Sequence, residues 1–228
     1  MDKRELEKRI RNEQNSICFT GHRFIPLSET DFIRRQLHDI IRYCWDQGFC
    51  WFICGGALGF DTLAAEEVIR FRTDEEQDAG LLLAIPCEDQ TLKWSARDRN
   101  RYEYIRNNAD EEIVLSSRYY EGCMHIRNQF MVTHSSLCVC YLKYFTGGTG
   151  YTVRYALRTG CKVINLFEAT AVKPSELKEK PWNYIYTYPS APENVPIALS
   201  IPFQDVRARK CHYICRRYCR RLKSGKRK

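Results

Sequence analysis

Six short apolar runs, separated by stretches in which apolar residues return every three or four positions, dominate the first 167 residues. "SICFTGH" ends in a glycine turn, "CWFICGG" in a glycine pair and "LLLAIP" at Pro86, and "EIVLSS", "SLCVCYL" and "KVINLF" follow. An apolar run of this length, bounded by turn residues, suits a strand buried on both faces. After "PLSET", Phe32, Ile33, Leu37, Ile40, Ile41 and Trp45 recur at helical spacing, with Ser28 or Thr30 as the cap and Gly48 as the stop. "FDTLAAEEVIRFR" sets Leu63, Ala64, Val68 and Phe71 along one side of a second helix. "CEDQTLKWSARDRNRYEYIRNNAD" reads as a loop and then a helix, and "CMHIRNQFMVTHS" and "GYTVRYALRTG" as two more, the last closed by Gly160. Strands apolar on both faces and alternating with helices require a parallel sheet wrapped by helices. The expected fold is α/β, a Rossmann-like three-layer sandwich with a mainly parallel sheet and a basic C-terminal extension.

The alternation stops after Phe167, where the chain turns rich in Pro and polar residues. The expected division is a charged N-terminal segment at 1–15, the domain at 16–168, a Pro-rich linker or draped segment at 169–206, and a Cys-containing basic tail at 207–228. Of the formal net charge of +8, residues 207–228 supply 11 Lys or Arg and no acid, which leaves residues 1–206 at −3. A polyanionic partner is therefore an expectation for the tail and not for the fold. An amphipathic tail helix would bind nucleic acid electrostatically, dock on the acidic body, or only solubilise the terminus. Cys211, Cys215 and Cys219 lie four residues apart, a spacing that spreads three thiols too far along a helix for one ion, so no metal is expected.

Twelve cysteines do not make a disulfide framework in a chain long enough to build its own core. Cys18, Cys54, Cys138 and Cys140 lie in or beside strand-like runs, where a thiol behaves as a small hydrophobe. No apolar run approaches the roughly 20 residues that span a bilayer. "MDKRELEKRIRNEQN" lacks the apolar centre of a signal peptide. Reduced thiols, a cytoplasmic location and no membrane contact are the expectations.

In an open parallel sheet the ligand crevice lies at the carboxyl ends of the strands. Three turns there carry suitable residues: "TGHR" at 20–23, "CGGALGFDTLAAE" at 54–66 and "FTGGTGYT" at 145–152. Glycines let backbone approach a ligand, and amides at a helix N-terminus favour anionic oxygen. None is a Walker loop with its Lys or a dinucleotide fingerprint with its acid. His22 is a ligand-facing candidate or an ordinary surface or core histidine, and Asp61 faces the pocket or caps a helix beginning near Thr62. Trp94, Tyr102 and Tyr104 offer a stacking platform or serve as core and boundary residues.

Taken together, "TGHR", "GGALGFDTLAAE", Trp94, "MHIRNQFMV" and "GGTGYTVRYA" resemble the YpsA-like branch of the SLOG superfamily, which also contains DNA-processing protein A and the Lonely Guy phosphoribohydrolases. The resemblance runs from about Ile17 to Phe167 and keeps motif order and spacing. It implies a Rossmann-like fold that binds nucleotides or nucleotide-derived ligands, with ADP-ribose-like molecules suggested for several branches. Carried over by position, Gly21 and Arg23 face the ligand from the first turn, and Gly55, Gly56, Gly59 and Asp61 shape the second. Gly147, Gly148, Thr149 and Thr152 hold phosphate or ribose from the third, and Arg127 and Asn128 match an Arg-Asn pair of this branch. The phosphoribohydrolases follow their glycine loop closely with Glu, whereas here Tyr151 replaces a Thr and Val153 and Arg154 occupy the acidic positions.

The leading expectation is binding or sensing of a nucleotide-derived ligand without turnover and with no cofactor. The alternatives are a nucleotide N-glycosidase or phosphoribohydrolase, with Asp61 or Glu66 as the acid, and a DNA-processing role with single-stranded nucleic acid at the tail. Self-association is left open.

Overall fold

The computed structural model describes residues 15–169. The expectations for residues 1–14 and 170–228, including the linker and the basic tail with its cysteines, lie outside the described residues. Within them, six strands alternate with six helices: β1 (Ser16–Gly21), α1 (Leu27–Asp46), β2 (Trp51–Cys54), α2 (Phe60–Asp74), β3 (Gly80–Ile85), α3 (Ala96–Asn108), β4 (Glu111–Val114), α4 (Cys123–Thr133), β5 (Leu137–Tyr141), α5 (Gly147–Arg158), β6 (Lys162–Asn165) and α6 (Leu166–Ala169).

The strands form one sheet in the order β4-β3-β2-β1-β5-β6. Every pairing is parallel, with Cys18 opposite Ile53 on one side and opposite Cys138 on the other. The expected α/β sandwich is borne out, and its sheet is wholly parallel. The strands other than the edge strand β4, which is mostly half-buried, are almost entirely buried because helices cover both faces. Ile17, Phe19, Phe52, Leu81, Leu83, Val139 and Tyr141 point into one core with residues of α1, α2 and α3. Cys18, Ile53, Leu82, Ala84, Cys138 and Cys140 point into the other, with Met131 and Val132 of α4 and Val153 and Ala156 of α5. Each large apolar side chain buried this way contributes about 1.5–3 kcal/mol.

The nine described cysteines are all buried free thiols. Among the described residues no helix is long and apolar enough to cross a membrane.

Helix starts depart from the sequence expectation in three places: α2 begins at Phe60 behind Gly59, so Asp61 lies inside its first turn and does not cap it, and α1 and α5 differ as well. Pro26 stands at the N-cap of α1, ahead of Ser28 and Thr30, and the Thr30 hydroxyl donates back to the Pro26 carbonyl at 3.2 Å. A proline there is pre-set for helix entry and loses no needed N–H. The helix α5 begins at Gly147, so the glycine loop is itself the first helical turn. Beyond β6, Leu166 and Phe167 leave the strand and enter α6.

Candidate functional site at the carboxyl edge of the sheet

The chain progresses outward from β1 to β4 and then returns to place β5 beside β1. The connections leaving β1 and β5 therefore diverge to opposite faces, which opens a crevice above the carboxyl ends of these two strands. The turn after β1 carries His22 and Arg23, and the turn after β5 runs from Leu142 to Thr146 and into α5.

The glycines of the three turns divide into two kinds. Gly21, Gly56 and Gly59 are filled in from inside the protein, by Phe60, by Tyr102 with Ile85, and by the backbone carbonyls of His22 and Arg23 respectively. At Gly55 a methyl group would lie 1.8 Å from Arg127 Nη1 and 2.8 Å from Asp61 Oδ2, so the absence of a side chain here is what admits that pair. Gly147 and Gly148 are different. Gly147 adopts a φ of +74°, and a methyl group placed on it would meet nothing within 4 Å. On Gly148 the nearest atom to such a group is Asn128 Nδ2 at 4.0 Å. The backbone of both residues faces open space.

Arg127 and Asn128 reach the crevice from α4 and are both buried. The Arg127 guanidinium donates through Nη1 to the Gly55 carbonyl and through Nε to Asn128 Oδ1 at 2.7 Å, and its Nη1 lies 3.9 Å from Asp61 Oδ2. Burial pushes the Asp61 carboxyl up to about 6, against the opposing pull of Arg127 and of backbone amides at Ala57, Gly55 and Gly21. Burial lowers Arg127 as well; Asp61 opposes that shift, and the positive charge of Arg23 adds to it. Arg23 is exposed and makes no ion pair among the described residues.

Asn128 thus spends its carbonyl oxygen on Arg127 and keeps Nδ2 unbonded among the described residues, although the residue is only 7% exposed. That amide lies beside the first turn of α5, whose N-cap Thr146 makes no side-chain capping bond. Unsatisfied amides at a helix start, an unspent side-chain N–H and two nearby guanidinium groups together favour an anion. Thr149 is buried beside this turn, whereas the Thr152 hydroxyl is spent on the Gly148 carbonyl at 2.8 Å.

The remaining expected residues scatter. Glu66 knits three helices, receiving Arg34 of α1 at 2.6 Å and Arg101 of α3 at 2.7 Å. Burial would raise its carboxyl, but the two arginines outweigh that and hold it below its ordinary range. Trp94 and Tyr102 pack edge to face at 5.5 Å and belong to the core, while Tyr104 is exposed on another side of α3. The three do not form one platform. Exposed rings do flank the crevice at Phe24 and Tyr144, which are 80% and 68% accessible.

Five side chains that the sequence motifs did not single out in this role shape the loop after β5. Asn165 accepts from Leu142 N and donates to Leu142 O, both at 3.0 Å. Arg154 donates to Phe145 O at 2.5 Å, so the residue standing where hydrolases carry an acid braces the glycine loop instead. Lys143 Nζ meets Glu29 Oε1 of α1 at 2.9 Å, and Tyr141 Oη donates to the same carboxylate. Only Arg154 had a sequence signal, through its place in the motif.

The fold and site define a Rossmann-type α/β protein whose glycine turns converge on one sheet edge. Residues 17–167 match the YpsA family, described as the YspA SLOG family, and the chain belongs to it. The resemblance drawn from the motifs is thereby borne out. An UPF0398 protein of Bacillus cereus strain G9842 is 29% identical over 158 residues, covering 66% of this chain and 84% of its own length. Another from Bacillus cereus strain B4264 is 30% identical over 131 residues, covering 56% and 71%. Among solved structures, DNA processing protein A of Helicobacter pylori, described for its single-stranded DNA binding mode, gives a TM-score of 0.49 at 13% identity, over 72% of this chain and 77% of that one. DNA processing protein A of Streptococcus pneumoniae gives 0.48 at 14% identity, over 66% of this chain and 49% of that one.

Proposed function

We propose that the protein binds a nucleotide-derived ligand by its phosphate at the start of α5 and holds it without turnover. An ADP-ribose-like molecule is the chemistry that fits: an anionic pyrophosphate for the helix amides and a planar base for the rings that flank the crevice. The observation that carries this reading is the open first turn of α5 at Gly147 and Gly148, faced by the unbonded Asn128 Nδ2. Arg23 supplies an exposed positive charge at the rim, and buried Arg127 a fixed one beneath it.

Holding is favoured over cleavage by how the carboxylates are engaged. Asp61 accepts backbone amides and faces Arg127, and Glu66 is bound by Arg34 and Arg101. Neither is disposed to direct water or to stabilise charge on a ribose. Calorimetric titration with ADP-ribose, NAD, AMP and cyclic dinucleotides tests the proposal, with stoichiometric binding of at least one of them expected. No heat with any of the four would remove it. Base release that Asp61→Asn abolishes would convert the reading to hydrolysis. Nucleic-acid contact by residues 207–228 is a separate expectation, supported by their charge alone.

A further inference from the structure

We infer that His22 is a positioning residue for this site, a latch that shapes the loop after β5 only while its imidazole is neutral. The inference rests on reading that loop and the α5 start as the anion cradle. His22 Nε2 accepts from the Lys143 amide at 2.9 Å and from the Tyr144 amide at 3.3 Å. Its own backbone donates to Tyr141 O at 3.3 Å and accepts from Phe60 N at 3.1 Å. One residue thereby joins the end of β1, the loop after β5 and the start of α2.

Two N–H groups directed at one ring nitrogen require that nitrogen to carry a lone pair, which puts the imidazole proton on Nδ1. Protonation would set a third N–H into the same space and leave both amides without their acceptor. The other ties on this loop do not switch in the same way. Asn165 at Leu142 carries no titratable group, and the tie at Phe145 is a guanidinium donating to a backbone carbonyl. Glu29, at Lys143, is held below its ordinary range first by the Tyr141 hydroxyl.

The groups facing His22 are Lys143, Tyr141 and Tyr144 from β5 and its loop, Glu29 of α1 behind them, Arg23 in its own turn, and Asp61 of α2 through the Gly21 amide. Burial lowers the His22 pKa from its ordinary 6.5, and the Lys143 charge adds to this. The latch is closed at neutral pH and opens on acidification. Its release leaves the Lys143 and Tyr144 amides, three to four residues ahead of Gly147, without their acceptor, so the cradle loses its shape before the fold is lost.

The test uses the full chain and ADP-ribose, whose pyrophosphate diester keeps its charge across the range. Wild-type affinity is expected to fall severalfold as the pH is lowered from 7.5 to 4.5. His22→Gln offers a side-chain oxygen as a non-titrating acceptor, so it should bind with a flatter pH profile. His22→Ala should bind at least tenfold more weakly at pH 7.5. Equal pH profiles for wild type and His22→Gln would overturn the latch, since Asp61 or another group would then be responsible. Undiminished binding by His22→Ala would overturn it too. If ADP-ribose does not bind at all, that failure belongs to the ligand reading, and nitrogen-15 spectra of the imidazole decide the latch alone. They should show the Nδ1–H form at pH 7.5, with hydrogen-exchange protection of the Lys143 and Tyr144 amides lost as the ring protonates. An Nε2–H form at pH 7.5 contradicts it.

Discussion

At the scale of single residues, the glycines of this site do opposite work, and substitution separates them. Gly148→Ala adds a methyl where the nearest atom is 4.0 Å away, in the first turn of a helix that prefers Ala to Gly. The melting temperature should hold or rise, while calorimetric affinity for a phosphate-bearing ligand drops tenfold or more because the methyl stands over the α5 amides. Gly55→Ala forces a methyl to 1.8 Å from Arg127 Nη1, so the Arg127–Asp61 pair must move. That change should cost about 1–3 kcal/mol in denaturant unfolding and weaken binding as well. Asp61 gives a signed pH prediction. Its folded pKa, near 6, lies above the unfolded value of about 3.9, so its contribution is complete at low pH and is lost as pH rises through 6. The stability gap between wild type and Asp61→Asn should widen from pH 7.5 to 4.5. A gap that narrows would show that Arg127 and the three amides win over burial.

At the scale of elements, α2 carries two acids with opposite linkage. Glu66 lies below its ordinary range, held there by Arg101 and Arg34 against burial, so its contribution is present above about pH 4.3 and fades on further acidification. Glu66→Gln should cost about 1–2 kcal/mol at pH 7, with the gap from wild type closing toward pH 3 and ligand affinity unchanged. A large loss of affinity would place Glu66 in the site after all. The strands were legible in the sequence because short apolar runs with turn residues at their ends have one stable use in an alternating chain. Helix starts were less so: α1 opens directly behind Pro26 and α5 at Gly147, both earlier than local propensity favours. The tie from His22 to the Lys143 and Tyr144 amides joins residues over 120 positions apart, and no local pattern encodes it. The same holds for Asn165 at Leu142.

At the scale of the whole molecule, strand order decides where a ligand can sit, because β5 returning beside β1 brings the first and third glycine turns to one crevice. The parallel-sheet rule foretold that the turns share one edge; which strands lie side by side, and so which two turns meet, is not written in either strand alone. Charge is divided on the same scale, with 11 Lys or Arg and no acid in residues 207–228. Deleting those residues should leave small-ligand affinity intact and remove any salt-sensitive binding of single-stranded DNA, as read by fluorescence anisotropy at two salt concentrations. Equal DNA binding by the truncated chain would shift that role to the domain. The central claim is an anion held at the start of α5, and amide-resolved NMR titration with ADP-ribose addresses it most directly. The predicted result is saturable shifts concentrated at the Gly147, Gly148 and Thr149 amides and the Asn128 side-chain amide. No shifts, or shifts that leave those four groups unmoved, would contradict it.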